Sequence, residues 1–259
     1  MTADSSDKFI EYEACGAIAV IRLARPPVNA LGLAMVRRLI AALEQAAADD
    51  AVRAVVLASA VDKRFCAGLD IASLVGQSPD QIRTLVHALY VELFEAQYRL
   101  GKPSIAAVNG AARGGGMTLA VSCDVIFAAA GATFGYPEID LGVVPAIHFV
   151  HLPRIIGRHR AFELLFTGQA FDAARAAALG LVNRVVPDTE LEAAAHKLAG
   201  EFAAKPQAAM RAGRAAFMRQ FDGDYRRAIA EAVNDFCKIL ASDEAQTRIR
   251  AFAQKNRAK

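Results

Sequence analysis

The chain has no tryptophan, and only four of its 259 residues are cysteines. Cys15, Cys66, Cys123 and Cys237 lie far apart, with no zinc-type or Cys-x-x-Cys spacing. They fit reduced, buried thiols, and a cytoplasmic location is expected. No stretch offers roughly 20 uninterrupted apolar residues, so no membrane span is expected. Lys and Arg number 30 against 27 Asp and Glu, and the net charge of +3 is spread along the chain. That balance gives no case for nucleic-acid or membrane-surface binding. The polar, acidic start, Met1 to Lys8, is not expected to be a signal or transit peptide. No metal cluster or redox-cofactor fingerprint is apparent, and Gly114-Gly115-Gly116 lacks the lysine and spacing of a phosphate loop.

What the chain has is apolar residues, 54% of the total, ample for one large core or two small ones. Residues 9–13 and 17–23, joined at Cys15-Gly16, read as a β-hairpin that Pro26 and Pro27 end. Residues 31–48 have helical spacing, with Met35, Leu39, Ala42, Leu43 and Ala46 on one face. Strands are expected at 53–58, 104–108, 125–128 and 181–186. Ser78-Pro79-Asp80 starts a long helix that Gly101 and Pro103 end. Strands alternating with helices predict an α/β fold with parallel pairing through crossover helices. From about Gly157 the pattern is almost entirely helical. Asp172 suits a cap, and four further helices run to residue 255.

The central stretch is Asn109 to Ala120. A buried strand runs into three consecutive glycines, and Met117, Leu119 and Ala120 then begin a helix. Glycines allow a backbone or ligand approach that any Cβ would block. The free N–H groups of the helix's first turn suit an anion, or an oxygen that becomes one during a reaction. A turn required only for tight packing would look the same. A second strand-to-turn element, Lys63 to Ile71, could supply another N–H to the same oxygen. Cys66 within it reads as a packing residue, because no histidine lies near it in sequence to activate it.

These stretches, with Phe65-Cys66-Ala67-Gly68-Leu69-Asp70, Phe134-Gly135-Tyr136-Pro137-Glu138-Ile139, Leu141-Gly142, Ala178 to Asn183 and Val185-Val186-Pro187, occur in an order that resembles the crotonase superfamily of enoyl-CoA hydratases and isomerases. The resemblance runs from about Ile18 to Lys255. It implies an α/β, crotonase-like spiral of ββα units over residues 1–195 and a C-terminal helical oligomerisation region over 196–259. It also implies a homotrimer or a dimer of trimers. The substrate would be an acyl-CoA thioester, with coenzyme A as part of the substrate, no separate cofactor and no nucleic-acid or membrane partner.

By the same resemblance, the N–H groups of Leu69 and Gly115 hold the thioester oxygen, and Glu138 is the catalytic base. Family hydratases use two glutamates; this chain keeps the second as Glu138 and has Thr118 at the first. A threonine hydroxyl is a poor general base near neutral pH. The pattern is therefore closest to Δ3,Δ2-enoyl-CoA isomerases, in which one glutamate moves a proton from C2 to C4. Hydration with a non-standard second acid such as His148, or acyl-CoA binding without turnover, are the alternatives. The acid of dienoyl-CoA isomerases would fall at Ala146, which argues against that activity. Ala67, Gly68, Gly114, Thr118 and His148 are expected to bind the substrate, Ala67 at the end of the adenine loop and His148 toward the acyl pocket. Lys63 in the adenine loop, and Phe252 and Lys255 near the end, are expected at the nucleotide, with Arg25 a further candidate. Lys255 would meet phosphate as a point charge.

Overall fold

The computed structural model describes residues 9–222 and 224–257, without the side chains of residues 220–222, 225, 226, 244 and 255–257. The strands are β1 (Ile10–Cys15), β2 (Ile18–Leu23), β3 (Ala54–Ser59), β4 (Arg64–Cys66), β5 (Ser104–Val108), β6 (Ala111–Arg113), β7 (Val125–Ala129), β8 (Thr133–Gly135), β9 (Phe171–Asp172) and β10 (Arg184–Val186). They form a six-stranded sheet in the order β1-β2-β3-β5-β7-β10 and a four-stranded sheet in the order β4-β6-β8-β9. The β1–β2 and β8–β9 pairs are antiparallel and all the others parallel.

The two sheets share one repeating logic. β3 is followed by β4, β5 by β6, and β7 by β8, so each passage lays a long strand in the large sheet and a three-residue strand in the small one. β3 and β5 are buried along their whole length, as parallel strands covered on both faces require. The short strands were expected as parts of turns. With three residues each, they carry too little periodicity to read in isolation.

The helices are α1 (Leu33–Ala48), α2 (Ile71–Leu74), α3 (Pro79–His87), α4 (Leu93–Arg99), α5 (Gly115–Ser122), α6 (Ala146–Ile156), α7 (Arg158–Thr167), α8 (Ala173–Ala178), α9 (Leu191–Ala203), α10 (Gln207–Asp222), α11 (Tyr225–Leu240) and α12 (Asp243–Arg257). Ser78 and Gln81 form a reciprocal capping box at α3, with Pro79 in the first turn. Asp172 caps α8 through the Arg175 N–H. α3 and α4 are one helical column interrupted by a π turn over Ala88–Glu92, the kind of irregularity that gathers at functional sites. α9 packs on β2, β3, β5 and β7 of the large sheet. The last strand begins at Arg184 rather than 181, because the N–H groups of Leu181 and Val182 turn back to Ala176 O and close α8. Among the described residues no helix is long and apolar enough to cross a membrane.

α1 also begins later than its periodicity suggests, because Leu31 is extended and bridges Leu69 in parallel. Asn29 holds that segment in place. It is fully buried with φ of 53°, and its Nδ2 donates to Ser59 Oγ at 2.8 Å and to Phe65 O at 2.9 Å. Its Oδ1 accepts from the Arg25 N–H at 2.8 Å. Replacing Asn29 with alanine removes three hydrogen bonds that tie the segment to Arg25, Ser59 and Phe65 and leaves a β-carbon at a positive φ without the side chain that compensates it. Asn29→Ala is expected to lower unfolding stability by about 2–4 kcal/mol, read as a lower urea midpoint with an unchanged slope.

Candidate active site

Two glycine turns meet at the open ends of β4 and β6. A Cβ placed on Gly68, where φ is 87°, would come within 2.7 Å of Arg113 O and 3.1 Å of the Gly115 N. Only glycine serves there, since both the conformation and the space exclude a side chain. The bridge to Leu31 is made by Gly68 O, 2.8 Å from the Leu31 N, and by the Asp70 N, 3.0 Å from Leu31 O. These bonds leave the Leu69 N–H on the opposite edge of its segment. Gly115 is the first residue of α5, so its N–H has no acceptor within the helix. Two backbone donors, one reinforced by the dipole of α5, thus border one small space.

That space is a cavity of about 60 Å³. Ala67, Gly68, Leu69, Gly114, Gly115 and Glu138 line it, and Ile71, Tyr90, Pro137, Leu141, Val143, Phe236 and Leu240 complete the wall. Glu138 lies on a 3₁₀ turn, Pro137–Leu141, that Pro137 initiates. Its side chain is 14% exposed. Oε2 is shielded from solvent without a hydrogen-bond partner, while Oε1 lies 3.1 Å from His148 Nε2. Gly114, at φ of 48°, makes room for this carboxylate, because a Cβ there would be 2.7 Å from Oε1.

His148 and His151 stand one turn apart on α6, both buried, with His148 Nδ1 3.3 Å from His151 Nε2. The Tyr136 ring meets His148 edge-on at 4.6 Å between centroids. Burial, and then Glu138, pushes the Tyr136 phenol up. Tyr90 lies in the π turn, and burial followed by the Glu138 charge pushes its phenol up too, so that it stays protonated. Burial pushes the Cys66 thiol up to about 12, and its Sγ donates to Asn29 O at 3.1 Å. That is a packed thiol and a poor nucleophile.

Of the residues singled out in the sequence, the structure brings Leu69, Gly115 and Glu138 together on one cavity, with Ala67, Gly68 and Gly114 beside them. Thr118 and His148 are not on the wall. Thr118 is buried one turn into α5, next to the Tyr90 hydroxyl, and His148 is behind Glu138. Lys63 is exposed on the loop before β4, with φ of 53°. Phe252 is exposed on α12, which packs against α2 and the Pro137–Leu141 turn. The Lys255 side chain lies outside the described residues. Arg25 is engaged with Asp70 at 2.7 Å, and Asp70 also caps α2.

The sequence reading missed the outer wall, Phe236 and Leu240. Their i,i+4 spacing on α11 marks a shared face but not what that face meets. It did not see that His148 and His151, at i,i+3, share a helix face. A larger cavity of about 770 Å³ lies elsewhere and includes His151, Asp124 and Arg214 in its lining. Its Asp124–Arg214 pair is already closed at 2.9 Å, and the small cavity is where backbone donors and a carboxylate converge.

Comparison with known proteins supplies the family. The family model described as enoyl-CoA hydratase/isomerase matches residues 13–259. The chain is 35% identical over 243 residues to the crotonyl-CoA hydratase of Syntrophomonas wolfei, covering 93% of each. It is 44% identical over 185 residues to a probable enoyl-CoA hydratase of Rhizobium meliloti, covering 70% of each. Among solved structures, Pseudomonas aeruginosa OdaA superposes with a TM-score of 0.86 at 34% identity, covering 95% of this chain and 98% of that one.

The crowding at Gly114 generates a direct test. In Gly114→Ala the new methyl meets Glu138 Oε1 and the positive φ adds strain of about 1–3 kcal/mol. The expected outcome is a folded protein whose turnover falls by roughly a hundredfold, the scale of a displaced acid/base. Steady-state kinetics beside a thermal melt would check it.

Proposed function

The chain belongs to the enoyl-CoA hydratase/isomerase family of acyl-CoA enzymes, and from that premise we propose that it is a Δ3,Δ2-enoyl-CoA isomerase working with one carboxylate. The observation that carries this reading is that, among the described residues, Glu138 is the one carboxylate on the wall of the cavity. Thr118 replaces the first acid of the two-glutamate pattern, and His148 faces the back of Glu138 instead of the cavity.

In this reading the thioester oxygen of a 3-enoyl-CoA lies between the Leu69 and Gly115 N–H groups. Glu138 removes a proton from C2, and the electron pair moves onto the oxygen as a dienolate. Donors placed for that charge favour the transition state over the ground state, and each contributes about 3–4 kcal/mol in sites of this kind. The same carboxyl then returns its proton to C4, and the double bond ends between C2 and C3. The unpartnered Oε2 is the atom suited to carry the proton. Phe236, Leu240, Leu141 and Val143 keep the reacting carbons dry, which strengthens the donors.

A second reading, hydration of a 2-enoyl-CoA, is favoured by the printed names of the relatives, among them crotonyl-CoA hydratase. Glu138 would accept a proton from water as the oxygen adds to C3 and then pass it to C2, with Tyr90 orienting the water. The substrate class also points to fatty-acid or related acyl-CoA catabolism. A homotrimer, or a dimer of such trimers, is part of the proposal. Phe149, Phe166 and Phe162 stack in sequence, at 5.5 and 4.2 Å, with Phe162 60% exposed. An exposed aromatic stack of this kind suits a subunit contact. Light scattering is expected to give three or six times the chain mass, and a monomer would remove this part of the proposal.

The deciding assay offers 3-enoyl-CoA and 2-enoyl-CoA separately to the wild type and to Glu138→Gln. Conversion of the 3-enoyl substrate to the conjugated thioester is expected, with kcat reduced about 10²–10⁴-fold in the variant and KM little changed. Rapid hydration of the 2-enoyl substrate with the 3-enoyl substrate untouched would establish the second reading. Acyl-CoA binding without turnover, indifferent to Glu138, would leave neither.

A further inference from the structure

We propose that His148 and His151 are positioning residues, and that His151 sets the tautomer in which His148 donates its Nε2–H to Glu138. The inference rests on Glu138 being the base of the proposed reaction. It begins with hydrogen-bond capacity. An ionised carboxylate is an acceptor only, so at 3.1 Å from Oε1 the His148 Nε2 carries the hydrogen. In a neutral ring the other nitrogen is then an acceptor and needs a donor. His151 Nε2 stands 3.3 Å from His148 Nδ1 and is placed to be that donor. Both hydrogens then point along one line toward Glu138.

The far end of the line selects this arrangement. His151 Nδ1 is shielded from solvent and has no partner. With Nε2 protonated it is a bare acceptor, and an unmet acceptor costs less than an orphaned N–H. An imidazolium at His148 would reverse the second bond and leave His151 with a buried, unmet Nδ1–H. The surroundings agree. His148 is faced by Glu138, by Tyr136 and by Tyr90, whose ring centroid is 6.4 Å away. His151 is faced by His148, with Arg154 a turn further on, and the cavity beyond also holds Tyr98, Cys123 and the paired Asp124 and Arg214. Burial first, then His148 and Arg154, hold His151 well below the ordinary imidazole range, so it stays neutral.

A neutral His148 with a fixed Nε2–H stabilises the Glu138 carboxylate and keeps it aimed. Losing that donor disfavours the ionised form, so more protons are held at a given pH. The sign is then definite. Activity that requires ionised Glu138 is lost at a higher pH when His151 can no longer hold the tautomer.

The test measures kcat/KM against pH on whichever enoyl-CoA is turned over, for wild type, His151→Leu and His151→Gln. It is paired with ¹⁵N NMR of the histidine rings. His151→Leu is expected to move the acidic limb upward by about one pH unit, the scale of one lost hydrogen bond to a carboxylate. His151→Gln, whose amide can still donate to His148 Nδ1, is expected to restore it. Wild-type spectra should show neutral His148 protonated at Nε2. An acidic limb unmoved in His151→Leu, or a His151→Gln limb displaced as far as that of His151→Leu, would overturn the inference. So would a wild-type His148 protonated at Nδ1, a result that needs no variant to fold. Full activity in Glu138→Gln would instead overturn the reading of Glu138 as base, while the spectra still report the tautomer.

Discussion

The approach of Gly68 to Gly115 sets the spacing that the rest of the chain has to respect. A Cβ on Gly115 would lie 3.5 Å from Gly68 Cα, and one on Gly68 would lie 2.7 Å from Arg113 O. The two turns therefore touch through their backbones. Such a contact needs the strands that precede them to run side by side, which the parallel pairing of β4 with β6 provides. The second sheet exists in pieces of two and three residues because its task is to hold those turns. Buried Asn29 serves the same end from the other side, by fixing the extended segment that bridges Leu69. Donors held by a covalent backbone need no reorganisation when charge develops, which is where preorganised sites gain most over water.

Much of this was legible in the sequence, for particular reasons. The long strands are continuous apolar runs, and the helices carry a 3.6-residue period, so both announce themselves locally. The glycine turns were visible because each follows an apolar strand run, although a turn needed only for tight packing would look the same. β4, β6 and β8 were not visible, because three residues hold less than two periods of alternation. The bend in the chain before α1 was hidden for another reason. Asn29 acts through partners at Ser59 and Phe65, and no local pattern reports a partner thirty residues away. The same limit applies to Phe236 and Leu240, which read as one face of an amphipathic helix whichever surface covers them.

Glu138 illustrates the boundary most clearly. A resemblance in motifs drew attention to Glu138 and to the missing acid at Thr118, and it offered His148 as a possible substitute. The coordinates put His148 against the carboxylate and away from the cavity. A residue type at a position says which protons can move, but the direction in which the side chain points decides whose protons they are. Here the polar groups of α6 serve the carboxylate, and the walls of the cavity stay apolar apart from Glu138, Tyr90 and the backbone.

The outer wall comes from the last quarter of the chain, through Phe236 and Leu240 of α11, with α12 laid over α2 and the turn that bears Glu138. The inner wall is complete by residue 138. A ribosome therefore finishes the glycine turns and Glu138 well before the helix that supplies Phe236 and Leu240, and a chain cut short before α11 would keep the inner wall and lose the outer one. The division also matters on evolutionary timescales. Exchanging side chains along one face of α11 would reshape the room for the acyl group while leaving the glycine contact untouched. The glycine contact and the outer wall thus lie in separate stretches of sequence, free to drift at different speeds.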